Sequence, residues 1–266
     1  MTELTITNPF GAPVYYKESV ASTMEEARAL AARGAPCGTV IAAGFQTAGR
    51  GRQGRQWAAD AGRNLFFTIL LDAEGLKPIL QVITLRTGLA LALAIEDFAP
   101  DLRRSVEIKW PNDCMIAGKK TAGILCESDG AHVYIGIGVN IFQKDFSAAL
   151  AHKATSIALA LESLPQNECC PFPTAIPAKA EPVLLEHILK RLFNELHDTD
   201  FREAILERLF MRRQTVRFIP GPAGAGTQAL EGTLEGIGKH GELLIKDSSG
   251  TLLSFTTGEL DVYAQL

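Results

Sequence analysis

The segment with the strongest chemical character is GRGRQGRQW, Gly49–Trp57. It carries Arg50, Arg52 and Arg55 and no acid, a local charge of +3 in a chain whose net charge is -4. Glycines let a backbone approach a ligand closely, and guanidinium groups form forked hydrogen bonds to phosphate or carboxylate oxygens. A solvated arginine loop is the alternative interpretation. Because the segment lies between two predicted buried strands, its charge favours an anion site.

A second polar group follows a predicted strand in KWPND, Lys109–Asp113. Pro111 ends the strand, so we expect Asn112 and Asp113 on a turn at its end. An amide and a carboxylate there could read a base edge, hold Mg²⁺ or position an amine. The alternative is a structural turn without a ligand.

The third segment, KKTAGIL, places Lys119 and Lys120 immediately before an apolar strand. A lysine at such a boundary either reaches into a pocket as a point charge or faces solvent. The fourth is GIGVN, in which Gly136 and Gly138 share one face of a predicted strand. Missing side chains on one face indicate either close packing or a flat ligand laid against the backbone.

The elements that must position these segments alternate between helix and strand. Ser22 to Glu25 has the spacing of a capping box, and the helix that it opens is expected to end at Gly34. An apolar helical pattern covers residues 77–98. Strands are predicted at residues 38–44, 64–71, 106–110, 121–128 and 132–140.

The pattern changes after Thr155. A helix is expected to end near Ser163, and residues 164–182 are rich in proline and polar side chains, which predicts an insertion or linker. Helices are predicted at residues 183–196 and 201–210. Residues 214–266 show short strands with glycine turns, which indicates a small β-barrel appended to an α+β domain.

Composition excludes several classes of protein. A chain of 266 residues with 47% hydrophobic content folds without disulfide or metal support, and its net charge excludes a globally basic surface for duplex nucleic acid. The five cysteines are scattered, without C-x-x-C spacing for zinc, and the histidines are isolated. No secretory signal or bilayer-spanning stretch is visible, so we expect a cytoplasmic protein with no membrane contact.

In this order, the four segments resemble the motifs of the biotin–protein ligases. GRGRQGRQW is similar to the family's adenylate loop, KWPND matches outright, KTAGIL resembles its K-x-A-G-I-L segment, and GIGVN its G-x-G-x-N strand. The resemblance covers roughly residues 15–160 and continues weakly into LEGTLEGIGKHGELLI and TTGEL, which resemble an SH3-like end domain.

The resemblance implies a mixed-sheet catalytic domain over residues 1–212, with an insertion at 164–182, and an SH3-like domain over 213–266. It implies ATP, Mg²⁺ and biotin as ligands, biotinyl-5′-AMP as intermediate, and a lysine of a biotin carboxyl carrier domain as acceptor. The implied catalytic residues are Lys120, Arg52 and Asp113, with Asp113 also the Mg²⁺ ligand. The implied biotin-binding residues are Ser22, Thr23, Gln46, Arg50, Gly51, Arg52, Lys120, Gly123, Gly136 and Gly138. The implied ATP-binding residues are Gly49, Arg50, Arg52, Arg55, Trp57, Asn112 and Lys120.

Two positions depart from the family pattern: Met24 stands where asparagine is common, and Gln53 replaces a loop arginine. The segment before residue 22 is too short for the DNA-binding domain of some members, so we expect no DNA partner and a monomer or homodimer. Two alternatives stay open, a lipoate–protein ligase with the same two-step logic and a single-stranded RNA-binding protein that uses the arginine loop.

Overall fold

The fold is that of a computed structural model in which residues 1–57, 60–165, 176, 180–198, 200–221 and 228–262 are described. The larger sheet has eight strands: β1 Thr2–Glu3, β2 Val14–Lys17, β3 Val40–Ala43, β4 Asn64–Asp72, β5 Val106–Lys109, β6 Asp113–Ile116, β7 Lys119–Ser128 and β8 His132–Asn140. The smaller has five: β9 Thr215–Pro220, β10 Leu230–Ile237, β11 Leu243–Lys246, β12 Leu252–Phe255 and β13 Gly258–Leu260. The α-helices are α1 Thr23–Ala32, α2 Ala73–Leu76, α3 Ile83–Phe98, α4 Ile157–Glu162, α5 Ala180–His197 and α6 Phe201–Arg208.

The larger sheet is mixed, as predicted. Its strand order is β1-β2-β3-β4-β8-β7-β6-β5, in which β2 and β3 run parallel and the other neighbours run antiparallel. Strand β4, NLFFTILLD, is buried along almost its whole length because α1 packs on one face and α5 lies on the other. An uninterrupted apolar run is typical of a strand covered on both faces.

The predicted helix over residues 77–98 is wrong in its first part. Lys77–Ile79 is a 3₁₀ turn, and the axis of Ala73–Ile79 is bent by 89° from that of α3. Residues 80–82 form a turn that separates the two segments, while Pro78 lies at the start of the 3₁₀ turn, where a missing N–H is tolerated. Among the described residues no single helix is long and apolar enough to cross a membrane; this bent pair passes by length and composition alone.

The predicted capping box is only partly present. Ser22 is the N-cap of α1, but its side chain makes no cap hydrogen bond. At the other end Gly34 has φ +80°, the N–H of Gly34 donates to Ala31 O at 2.9 Å, and the N–H of Ala35 donates to Leu30 O at 3.1 Å. This pair of bonds is a Schellman motif, so the predicted glycine stop is confirmed.

Two predicted boundaries shift in the C-terminal half. Most of the predicted insertion lies outside the described residues, as do Cys169 and Cys170, but α5 begins at Ala180, with Pro182 in its first turn, where a missing N–H is tolerated. Helix α6 ends at Arg208, before the predicted Phe210, because the chain leaves the helix to pair with β5. The N–H of Phe210 donates to Ile108 O at 3.0 Å.

The C-terminal strands form an antiparallel sheet in the order β12-β11-β10-β9-β13. Within the described part of the chain no ladder joins β12 to β13, so the pairing gives an open sheet and does not show the predicted barrel closure. The two sheets share a hydrophobic cluster in which Leu85 and Leu89 of α3 meet Phe218 of β9. Trp110 lies in this cluster, donating from Nε1 to Gly241 O at 2.9 Å.

Candidate active site

A cavity of about 600 Å³ lies where α1, the loop Gly49–Trp57, the ends of β5 and β6, and β13 meet over the larger sheet. It collects residues that are far apart in the sequence, since its wall runs from Ser22 to Asp261. Of the predicted site residues, all except Gly49 line it. They are Ser22, Thr23, Gln46, Arg50, Gly51, Arg52, Arg55, Trp57, Asn112, Asp113, Lys120, Gly123, Gly136 and Gly138.

One end of the cavity is polar and uncharged. The Thr68 hydroxyl donates to Thr23 Oγ1 at 2.9 Å, and Thr23 donates from its hydroxyl (3.1 Å) and its backbone N–H (2.8 Å) to Gln46 Oε1. These bonds fix the orientation of the Gln46 amide, because its oxygen is the acceptor and Nε2 is therefore its donor. This end can recognise a neutral group that both accepts and donates hydrogen bonds.

Gly49 has a different place from the predicted one. A Cβ there would lie 3.0 Å from the Trp57 carbonyl oxygen and 3.2 Å from Gln46 Nε2. The Trp57 N–H donates to Gly49 O at 3.0 Å, which closes the base of the loop. Gly49 therefore lets the two ends of the loop approach each other, and it does not line the cavity.

The glycine face of β7 and β8 is covered by one aromatic side chain. A Cβ on Gly123 would lie 2.6 Å from Trp57 Cζ3, and one on Gly138 would lie 3.0 Å from Trp57 Cε2. The Trp57 indole thus fills the space beside these glycines, where the sequence indicates either close packing or a flat ligand. Its Nε1 is buried and has no hydrogen-bond partner among the described residues. A ligand laid against these glycines must displace the indole.

The neighbouring glycine meets the residue that departs from the family pattern. A Cβ on Gly136 would lie 2.9 Å from Met24 Cε. Met24 is 3% exposed and packs in a cluster with Ile41 and Tyr134. An apolar thioether therefore closes this part of the cavity where the pattern has an amide.

A row of charges crosses the next two strands. Lys120 Nζ lies 2.7 Å from Asp113 Oδ1 and 5.0 Å from the centre of the Trp57 ring. Asp113 is not on the predicted turn; it is the first residue of β6 and pairs with Lys109 of β5. Lys109 is 5% exposed. Its pKa is lowered because the effect of burial outweighs the opposing charges of Asp113 and Glu259.

Each arginine of the loop meets a partner on another element. Arg52 donates to Asn112 Oδ1 at 3.1 Å, and Arg55 donates to Glu259 of β13 at 2.8 Å. Burial lowers the pKa of Arg52, although Asp113 acts against it. Arg50 lies 3.6 Å from Glu25, with both side chains about half exposed.

Asn112 is held from both sides of its amide. Its Oδ1 accepts from Arg52, and its Nδ2 donates to Ile124 O at 2.9 Å. Burial alone would raise the pKa of Glu259, but the hydrogen bond from Arg55 and the charge of Lys109 outweigh it, so this pKa is lowered. Both residues therefore help to fix the cations of the loop.

Sequence reasoning missed four charged residues of this cavity, Lys109, Lys153, Glu259 and Asp261. The sequence did contain an indication of the position of Lys109. The apolar residues Val106 and Ile108 alternate with Glu107 and Lys109, which predicts that Lys109 points away from the core. In the structure it pairs with Asp113 and so lies on the same face of the sheet. The sequence contained no such indication for Glu259, since its contact with Arg55 joins residues 204 positions apart.

No group of three or more His, Cys, Asp or Glu side chains in the described ranges could hold a metal by itself. Asp113 offers a single carboxylate beside Lys120. Proteins commonly hold Mg²⁺ with one or two carboxylates while the substrate's phosphates supply further oxygens. The donor set therefore fits a magnesium ion that arrives with a nucleotide and does not fit a resident metal.

Comparison with known proteins agrees with this arrangement. The Biotin/lipoate A/B protein ligase family matches residues 16–140. The chain is 37% identical over 161 residues to the bifunctional ligase/repressor BirA of Bacillus subtilis, covering 58% of this chain and 49% of that protein. It is 36% identical over 125 residues to the biotin–[acetyl-CoA-carboxylase] ligase of Mycobacterium tuberculosis, covering 46% and 47%. The match thus spans about half the length of these curated relatives.

Solved structures match over nearly the whole chain. The biotin protein ligase of Aquifex aeolicus in complex with biotin and ATP aligns with a TM-score of 0.74 at 26% identity, covering 93% of this chain and 97% of that one. The Leishmania major biotin protein ligase in complex with biotinyl-5-AMP aligns with a TM-score of 0.60 at 27% identity, covering 92% and 98%. The motifs, the fold and these matches agree: residues 16–140 match the biotin/lipoate A/B protein ligase family, and the whole fold is similar to that of solved biotin protein ligases.

Proposed function

We propose that the protein is an ATP-dependent biotin–protein ligase, which activates biotin as biotinyl-5′-AMP and transfers it to a lysine of a biotin carboxyl carrier domain. The observation that carries the proposal is a single cavity with an uncharged hydrogen-bonding end at Thr23 and Gln46 and a cationic end at Lys120 and Arg52. Biotin has the same division, since its ureido ring is neutral and its valerate ends in a carboxylate. The Aquifex relative, described with biotin and ATP bound, supports the same assignment.

The uncharged end is proposed to bind the ureido ring. Ser22, Thr23 and Gln46 supply hydroxyl and amide groups, and Gly123, Gly136 and Gly138 give a floor without side chains once the Trp57 indole is displaced. Burying the polar ring costs free energy unless each of its groups finds a partner. The fixed bonds from Thr68 to Thr23 to Gln46 hold those partners in place before the ligand enters.

The first step joins two anions. An oxygen of the biotin carboxylate attacks the α-phosphorus of ATP, and the bond from that phosphorus to the bridging oxygen breaks, so that pyrophosphate leaves with the electron pair. Lys120 is proposed to lie between the carboxylate and the α-phosphate, where it offsets their repulsion and stabilises the charge that develops in the transition state. Magnesium, bound with the nucleotide and Asp113, would neutralise further phosphate charge.

The loop residues are proposed to hold the nucleotide and the adenylate. Arg52, fixed by Asn112, would bind phosphate and carboxylate oxygens, with Arg50 and Arg55 beside it. Forked guanidinium bonds suit these oxygens. Gly49, Gly51 and Trp57 complete the loop, which would cover the mixed anhydride and exclude the water that hydrolyses it.

In the second step the amine of the acceptor lysine attacks the biotinyl carbonyl carbon, an amide bond forms, and AMP leaves. The attacking amine is neutral, the electron pair of the broken bond leaves with AMP, and the proton that the amine loses passes to solvent. Asp113 is proposed to orient the amine at the edge of the cavity. The Asp113 carboxylate, which lies 2.7 Å from Lys120 Nζ, could accept a hydrogen bond from the N–H of the incoming amine.

The proposal extends to the organisation of the chain. The catalytic domain would comprise residues 1–212, and residues 213–266 would form an SH3-like domain, which the five-stranded sheet supports. The acceptor would be the carrier domain of a carboxylase such as acetyl-CoA carboxylase, since the name of the relative from Mycobacterium tuberculosis includes that enzyme. We propose a cytoplasmic monomer or homodimer, since ATP and carrier proteins are found in the cytoplasm.

The test is pyrophosphate release from MgATP, measured without an acid, with biotin and with lipoate. We expect release that depends on biotin, and labelling of a carrier domain on its lysine. Release that depends on lipoate instead would overturn the choice of substrate. Absence of turnover together with steeply salt-dependent binding of single-stranded RNA would overturn the assignment as an enzyme.

A further inference from the structure

Four residues form one row across the floor of the cavity. Gly138 of β8 pairs with Gly123 of β7, Gly123 pairs with Asp113 of β6, and Asp113 pairs with Lys109 of β5. Directly paired residues of antiparallel strands project from the same face of a sheet, and neighbouring strands lie about 4.8 Å apart. The row therefore begins with two positions without side chains and ends, roughly 14 Å away, at a lysine.

Lys120 stands above the middle of this row. A Cβ on Gly123 would lie 3.0 Å from Lys120 Nζ, which shows that the lysine folds back over the glycine, and the same Nζ lies 2.7 Å from Asp113. If the reacting carboxylate and α-phosphate lie beside Lys120, the biotin ring lies on the Gly138 side of them. The rest of the triphosphate must then lie on the other side, toward Lys109.

Phosphoryl transfer places the attacking and the leaving oxygens roughly in line on opposite sides of the phosphorus. With the carboxylate approaching from the strand β8 side, the leaving group departs toward β5. Lys109 lines the cavity at that end, 5% exposed, between Asp113 and Glu259. The β- and γ-phosphates would lie at this end of the cavity, where the buried ammonium of Lys109 supplies a point charge in a fixed place.

We propose that Lys109 binds the pyrophosphate leaving group and stabilises the negative charge that it gains when its bond to the α-phosphorus breaks. The inference rests on the proposed function and adds a division of labour to it. Lys120 serves the atoms between which the new bond forms, and Lys109 serves the atoms that leave. The lysine keeps its proton throughout, so the electron pair of the broken bond ends on pyrophosphate.

The division of labour separates the two half-reactions. Pyrophosphate takes part in the first step only, so a change at Lys109 must affect adenylate formation and leave transfer intact. In Lys109→Met the stem retains nearly the same packing while the charge is lost. In Lys109→Arg the charge is kept. Lys119→Met is the matched control, because Lys119 lies in the same sheet, is exposed at its Nζ and donates to Ala151 O at 3.2 Å without lining the cavity.

The first assay is biotin-dependent pyrophosphate–ATP exchange at varied pyrophosphate and ATP. We expect a loss of about 30-fold or more in Lys109→Met, partial recovery in Lys109→Arg and no change in Lys119→Met. The second assay supplies synthetic biotinyl-5′-AMP and measures labelling of a carrier domain. Here all variants should lie within about twofold of the unchanged protein.

A loss of both half-reactions to the same extent in Lys109→Met would show that the lysine only balances Asp113 and Glu259, and the inference would be wrong. Unchanged exchange would also overturn it. Calorimetry with methylenediphosphonate, a pyrophosphate analogue, adds a readout without turnover: Lys109→Met should bind it more weakly, and equal binding contradicts the inference. If the unchanged protein shows no biotin-dependent exchange, the proposed function fails instead.

Discussion

Lys120 owes its position to the absence of a side chain at Gly123. Its ammonium folds over that glycine and reaches Asp113, and the Trp57 ring lies 5.0 Å away. A lysine in this position combines an ion pair with an aromatic neighbour, so its charge is held in one place before any ligand enters. Placement of a charge in advance is what makes a contact effective in a transition state.

We therefore expect Lys120→Ala to lose adenylate formation while it keeps the fold. Removal of one such contact typically costs about 10²–10³-fold in rate, or about 2.7–4 kcal/mol. Biotin-dependent pyrophosphate release measures the loss, and circular dichroism checks the fold. Lys119→Ala is the control. Nearly normal release by Lys120→Ala would show that another cation bridges the two anions.

Trp57 leads to a second prediction, because its indole occupies the space above Gly123 and Gly138. The chain has two tryptophans, and the other, Trp110, is 2% exposed and bonded to Gly241. A ligand that displaces the Trp57 indole changes its surroundings and leaves Trp110 unchanged. Biotin should therefore alter the intrinsic fluorescence of the unchanged protein and of Trp110→Phe.

The same titration on Trp57→Phe provides the decisive comparison. The change in fluorescence should vanish, while calorimetry should still detect biotin. A change of equal size in Trp57→Phe would place the responsive tryptophan in the shared cluster of the two sheets, and the displacement of the indole would be wrong.

At the scale of elements, the order of the motifs along the chain predicted which segments form the site, whereas contacts between individual residues could not all be predicted. The four segments lie on β5–β8 and in the loop before β4, and the larger sheet brings them to one cavity. Alternation and turn residues are local, so β7, β8 and the Gly34 stop could be predicted from them. The apolar period of residues 77–98 concealed the turn at residues 80–82, which separates Lys77–Ile79 from α3. The contact of Arg55 with Glu259 depends on how two sheets meet, which no local pattern contains.

Two of the ion pairs that hold the loop Gly49–Trp57 to other elements are weak, and this gives the element-scale prediction. The Arg55–Glu259 and Arg50–Glu25 pairs are substantially exposed, and such pairs contribute about 0–1 kcal/mol each. We expect the loop to open readily without ligand and to become protected when biotin and ATP supply anions for its arginines. Hydrogen exchange at the amides of Gly51 and Trp57, which donate within the loop, measures this.

Measuring exchange with biotin alone, with ATP alone and with both separates the contributions of the two ligands to protection of the loop. Amides of β4 serve as an internal reference because that strand is buried. Slower exchange in the loop with both ligands, and unchanged exchange in β4, is the expected result. Equal protection with and without ligands would mean that the loop is already closed, and the proposed exclusion of water would need another element.

At the scale of the whole molecule, the two sheets share a core and one cavity. Phe218 of the smaller sheet is fully buried, its ring centre lies 6.0 Å from that of Trp110, and Trp110 immediately follows the strand that ends at Lys109. Glu259 of the smaller sheet reaches the loop arginine Arg55. The smaller sheet thus supports the end of β5 and supplies a wall of the site, so its stability and that of the site are expected to be coupled.

This coupling predicts that both sheets unfold in one transition, which Phe218→Ala shifts as a whole. Truncating a buried phenylalanine costs roughly 3–5 kcal/mol, and for a chain of this size each kcal/mol lowers Tm by about 2–4 °C. A fall in Tm of roughly 6–20 °C is therefore expected by calorimetry, with biotin-dependent activity lost over the same range. Leu252→Ala, at a side chain that is 56% exposed in the same sheet, should change Tm little. Two separate transitions, of which Phe218→Ala moves only the smaller, would show that the sheets fold independently and that the shared cluster contributes little to holding the end of β5 in place.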